Sequence, residues 1–136
     1  VLHFSFLHLL FNLAWWWYLG GRLEHRYGAG KLAILLFSGA LIPNVLQAMV
    51  SGAAFGGLSG VTYALIGYLW LRERGSDDQS QVAVSDGLFI FMLCWLVVGF
   101  TNLFGLNTAN LAHLGGLLVG LIQGWRDSHR AIPKAK

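Results

Sequence analysis

The chain has 136 residues, 56% of them hydrophobic and only 11% charged, against about 25% charged in an average soluble domain. Nine Lys and Arg against six Asp and Glu leave a net charge of +3, too little charge to coat a soluble globule and too much apolar content for a disordered chain. Basic residues this sparse make a poor phosphate-binding surface, so a nucleic-acid partner is not expected; the single Cys94 excludes an intramolecular disulfide framework and a CxxC metal site.

Every charge lies in one of three clusters, and the stretches between them set the elements. Residues 1–21 carry no charge and end at Arg22, Glu24, Arg26 and Lys31. They predict a first membrane span over 6–22, with the run Trp15-Trp16-Trp17-Tyr18 as an anchor at the interface, where such rings concentrate. Residues 32–71 are again free of charge, long enough for two spans of about 20 residues. Their centre, Ser51-Gly52-Ala53-Ala54-Phe55-Gly56-Gly57, is rich in helix-ending residues. Spans over 30–50 and 59–73 follow. The second cluster holds Arg72, Glu73, Arg74, Asp77, Asp78 and Asp86. Residues 87–125, interrupted between Thr101-Asn102 and Asn107-Thr108, predict spans over 86–102 and 109–127. The third cluster, Arg126, Asp127, Arg130, Lys134 and Lys136, runs into a short tail, 128–136.

The expected fold is therefore all-α, a single polytopic membrane helical bundle over 1–136 with about five transmembrane helices. Two spans per long stretch return the chain to the side it left. All three clusters then share one face, which the positive-inside rule makes cytoplasmic. Val1 would begin outside with neither initiator Met nor signal peptide, which predicts a further span upstream.

Polar residues inside spans are costly and mark function. Ser59 lies thirteen residues before Arg72, His113 thirteen before Arg126, and His8 fourteen before Arg22. At 1.5 Å per residue all three sit roughly 20 Å from the charged edge, in the outer third of a hydrocarbon core about 30 Å thick. Asn12 is one turn deeper than His8 on the same helical face. Ala112, Gly116, Gly120 and Gly124 form a small-residue stripe, and Gly60, Ala64 and Gly67 another; such stripes let helices pack closely in lipid and would draw Ser59 toward His113.

A serine beside a histidine is a nucleophile with its general base. Every carboxylate belongs to the charged clusters, so the arrangement would be a Ser-His dyad rather than a triad. Tyr63, one turn below Ser59, would support the imidazole. His8, Asn12 and the Ser59 backbone N–H would donate to a developing oxyanion, with Gly57 and Gly60 permitting the sharp entry into the helix. No cofactor and no metal is required, and no HExxH is present.

Four segments then resemble the rhomboid intramembrane serine proteases, in particular bacterial members of the GlpG type. Gly57-Leu58-Ser59-Gly60 is similar to the GxSG nucleophile motif. Ala112-His113-Leu114-Gly115-Gly116 with Gly120 is similar to AHxxGxxxG around the catalytic histidine. His8 to Asn12 matches HxxxN, and Gly20-Gly21-Arg22-Leu23-Glu24-His25-Arg26 matches GGxxExR. The resemblance implies a six-helix core of which the first helix is missing here. It implies a metal-independent endopeptidase of transmembrane protein substrates that works within the lipid bilayer of the bacterial inner membrane. Its site would face the periplasm, with Ser59 as nucleophile and His113 as base. It places Phe91 and Trp95 beside a lateral substrate entrance and Gln47 near catalytic water, with Pro43 where the family has a small polar residue. Read without chemistry, His3 is interfacial, His25 and His129 are solvated, Glu24 and Arg26 cap the cytoplasmic end, and Cys94 is packing. The alternatives are a catalytically inactive rhomboid-like membrane-protein binder and a small transporter or channel, which would need a polar file across the bilayer.

Overall fold

A computed structural model describes residues 2–51, 58–74, 82–101 and 110–130, leaving aside the side chains of residues 2–5, 7, 8 and 51. The described residues form five helices: α1 (Leu2–Tyr27), α2 (Ala29–Ser51), α3 (Ser59–Glu73), α4 (Asp86–Thr101) and α5 (Asn110–His129). α1 runs beyond the expected 6–22 because its charged last turn, with His25 and Arg26 at the carbonyl end, is itself good helix and suits the helix dipole. It stops at Gly28, whose φ of 85° is the left-handed value that glycine adopts without strain. The Gly28 N–H closes the helix on the Glu24 carbonyl at 2.8 Å, and α2 begins at the next residue.

α3 is the axle. Every residue from Ser59 to Leu69 is buried, and α1, α2, α4 and α5 all pack on it. Around this centre α1 meets α2, α2 meets α5 and α5 meets α4, whereas α4 and α1 do not approach each other among the described residues. The ring about α3 is open between α1 and α4.

Large apolar side chains cover the outside of the other four helices, including Trp17 on α1, Phe37 and Met49 on α2, Phe91 on α4 and Trp125 on α5, while α3 contributes none. An apolar exterior around a tightly packed centre is what lipid as solvent demands. Taken singly, only Ala29–Val50 among the described residues is long and apolar enough to cross a membrane; Asp86–Thr101 is apolar but shorter. The remaining helices carry the buried polar groups and glycines that lower their own hydropathy.

The seam between α3 and α5 is made by backbone rather than side chains. A Cβ on Gly116 would overlap the Gly60 carbonyl, and one on Gly120 would overlap the Ala64 carbonyl. The two small-residue stripes therefore face each other directly. Pro43, inside α2, cannot donate to the Gly39 carbonyl one turn back, and that carbonyl lies against Gly60. The Pro43 ring packs on Gly115, so the proline serves as a wedge where α2, α3 and α5 meet.

The charged ends gather at the opposite pole. Arg26 pairs with Glu73 at 2.6 Å, and Glu73, 2% exposed, also accepts the Ala83 N–H at 2.6 Å. Lys31 pairs with Asp127 at 2.7 Å, and the Tyr68 hydroxyl donates to the same carboxylate at 2.8 Å. All three charge clusters are thus stitched together at one end of the bundle. Arg26 is a structural group there, while Glu24 is exposed and takes no part among these contacts.

Candidate active site

Ser59 is the first residue of α3 and His113 the fourth of α5. Each side chain is buried, at 8% exposure, at the pole opposite the ion pairs. The backbone contact of Gly60 with Gly116 sits one residue from Ser59 and three from His113, so the two helices are in backbone contact at this level, as they are again one turn deeper at Ala64 and Gly120. The first N–H groups of α3, Ser59 among them, have no intrahelical acceptor, as at any helix start.

The rotational phase of α3 follows from its partners. Thr62 reaches α1 through Asn12, and Tyr63 reaches α4 through the Met92 carbonyl, to which its hydroxyl donates at 3.2 Å. At about 100° per residue, Ser59 falls angularly between these two neighbours one turn away. It therefore lies on the strip of α3 where the surrounding ring of helices is open.

The His113 ring stacks on Tyr63, with centroids 4.9 Å apart and planes 24° from parallel. Tyr63 is four residues after Ser59, so the imidazole is carried onto the same helical face as the serine. Two bonds fix the start of α5. Asn110 Nδ2 donates to the Gly99 carbonyl of α4 at 2.7 Å, and the Ala112 N–H donates to Gln47 Oε1 at 3.2 Å. Gln47, which the resemblance places near catalytic water, accepts this N–H at the start of the helix that carries His113, one residue before it.

Asn12 is buried, and its Oδ1 accepts from the Thr62 hydroxyl at 3.4 Å. His8 lies on α1 one turn before Asn12, but its side chain is outside the described residues, as is that of His3. Gly57 and the loops 52–57, 75–81 and 102–109, with Asp77 and Asp78, also lie outside them. Glu73 and Asp127 are each fourteen residues along their helix from Ser59 and His113, a separation of roughly 21 Å. The buried carboxylates thus serve the charged pole and not the serine.

On α4 the inward residues are Phe89, Met92 and Leu96; Phe91 and Trp95 point outward. Cys94 is also exposed on this helix rather than packed within the bundle. His25 and His129 are exposed at the charged pole. Thr62 and Met92 were not singled out in the sequence. The only signal for Thr62 is a hydroxyl three residues after Ser59 in an apolar run, and Met92 acts through its backbone, which sequence does not display.

A family model described as a Rhomboid domain matches residues 1–130. The chain belongs to the rhomboid family. Rhomboids are membrane-embedded and act on transmembrane substrates in the bilayer; they are generally serine proteases, with some inactive members. The helices of this rhomboid, four with apolar exteriors packed around a largely buried α3, form a helical membrane bundle. The match spans both Ser59 and His113 as well as the α1 segment with Asn12.

Proposed function

We propose that this rhomboid is an intramembrane serine endopeptidase that cuts transmembrane protein substrates with a Ser59–His113 dyad. One observation supports the reading above the others: Tyr63, one turn from Ser59, stacks on His113 and carries the general base to the face of the nucleophile. In the reaction His113 takes the hydroxyl proton as Ser59 Oγ adds to the scissile carbonyl. The tetrahedral oxyanion receives the Ser59 backbone N–H, the Asn12 amide and His8. Gly60 and Gly116 let this helix start approach α5. His113 then protonates the leaving amine, and water, deprotonated by the same imidazole, releases the acyl group from Ser59.

No carboxylate orients the imidazole in this scheme; the Tyr63 stack takes that role. The opening between α1 and α4 is the route by which an extended segment of a substrate reaches Ser59 from the lipid. By the positive-inside rule the ion-paired pole is cytoplasmic. The site then lies toward the periplasmic side of a bacterial inner membrane.

A fluorophosphonate probe tests the chemistry directly, because it phosphonylates only an activated serine. Membranes holding the full-length protein should give one adduct, on Ser59, absent in Ser59→Ala and reduced at least about a hundredfold in His113→Ala. Labelling that survives Ser59→Ala, or active membranes that do not label at all, would overturn the dyad.

A further inference from the structure

We infer that Thr62 is a positioning residue for Asn12, holding its amide so that the NH2 end is the one presented to the reacting carbonyl; the inference rests on the proposed Ser59–His113 chemistry. A primary amide has two ends of nearly equal shape and opposite hydrogen-bonding character. An oxyanion is stabilised by the NH2 end and repelled by the oxygen. In the apolar surroundings of an intramembrane site, only the partners of the amide decide which end faces the substrate.

Thr62 supplies such a partner. Its Oγ1 is 3.4 Å from Asn12 Oδ1 and 3.3 Å from the Leu58 carbonyl, and the hydroxyl has one proton to give. The Leu58 carbonyl already accepts the Thr62 backbone N–H at 2.9 Å. It is satisfied without the hydroxyl, whereas Asn12 Oδ1 gains a donor from it. Thr62 is 3% exposed and Asn12 9%, so bulk water does not compete for either group. A hydroxyl buried in an otherwise apolar run of α3 is costly unless bonded, and this bond gives it a purpose. Because Thr62 is one turn from Ser59, the same helix that carries the nucleophile also sets the amide on the neighbouring helix.

Removing an oxyanion donor outright costs roughly 100- to 1000-fold in kcat; letting the amide turn over costs less. The test is kinetics of the full-length protein in liposomes on a transmembrane peptide substrate. Thr62→Val keeps the shape of threonine without its hydroxyl. It should lower kcat about tenfold with KM within about twofold, and Thr62→Ala should do the same, so loss of fold in one leaves the other to read. Thr62→Ser should restore the wild-type kcat. Combined with Asn12→Ala, Thr62→Val should cost nothing further. Wild-type kcat in both hydroxyl-free variants, multiplication of the Thr62→Val and Asn12→Ala losses, or failure of serine to rescue would each overturn the inference. Ser59→Ala run alongside separates the two levels. Residual cleavage there sinks the dyad itself, while a dead Ser59→Ala with an unaffected Thr62→Val sinks only the role of Thr62.

Discussion

Tyr63 does two jobs with one side chain. Its ring lies against the His113 imidazole and its hydroxyl donates to the Met92 carbonyl of α4. Met92 lies within α4, so its carbonyl also accepts from the helix, and the tyrosine bond is an addition to it. The two jobs separate by substitution. Tyr63→Phe keeps the stacked ring and loses one neutral hydrogen bond, worth about 1 kcal/mol. Tyr63→Leu removes the aromatic face, worth about 0.5–1.5 kcal/mol beyond simple burial, and leaves the imidazole to wander. Fluorophosphonate labelling of Ser59 should stay within about threefold of wild type in Tyr63→Phe and fall about tenfold in Tyr63→Leu. Equal rates in the two variants would remove the stack from the proposed mechanism and leave Tyr63 a link to α4.

Among the elements, the α3–α5 seam decides whether Ser59 and His113 share a level. Its spacing is set by glycines whose missing side chains are replaced by the partner's carbonyls. Gly116→Val would force the helices apart against the Gly60 carbonyl; overpacking of this kind costs about 1–3 kcal/mol and occasionally more. Gly21 lies within α1, and a methyl group added there would meet nothing within 4 Å. Gly21→Ala should therefore leave stability unchanged or raise it by up to about 1 kcal/mol, the helix preference of alanine over glycine. Thermal unfolding in detergent followed by circular dichroism should show a clear drop for Gly116→Val and none for Gly21→Ala. A tolerated valine would mean that the seam is looser than its backbone contacts imply. These elements were legible in the sequence for unequal reasons. Charge clusters set one end of each of the five helices and the uncharged breaks near 51–57 and 101–108 the other end of four, and the stripe Ala112, Gly116, Gly120, Gly124 gave the phase of α5. α4 carries no such stripe and is apolar all round, as lipid permits. With no polar face to orient it, its sequence does not show that Phe89, Met92 and Leu96 are the residues turned inward. Thr62 and Gln47 were obscure for a related reason: their bonds cross between helices, and the sequence gives spacing along a helix but not rotation between two.

At the scale of the molecule the bundle has two poles of opposite design. One holds a hydroxyl, an imidazole and an amide, each buried. The other holds the Arg26–Glu73 and Lys31–Asp127 pairs, which join the ends of α1, α3 and α5 and the start of α2. Breaking a buried pair by removing one partner costs about 3–5 kcal/mol, so these pairs oppose any arrangement in which the charged clusters fall on different sides. The proposed orientation then has a direct consequence. Cys94 is the single cysteine, so Cys94→Ser gives a clean background for Glu24→Cys and Ser128→Cys, both exposed at the charged pole. A maleimide that cannot cross membranes should label these two in inverted inner-membrane vesicles and spare them in intact spheroplasts. Asn107→Cys, between the fourth and fifth apolar stretches, should give the reverse. Labelling of Glu24→Cys or Ser128→Cys from outside the spheroplast would turn the molecule over and put Ser59 on the cytoplasmic side of the membrane, with a different set of substrates within reach.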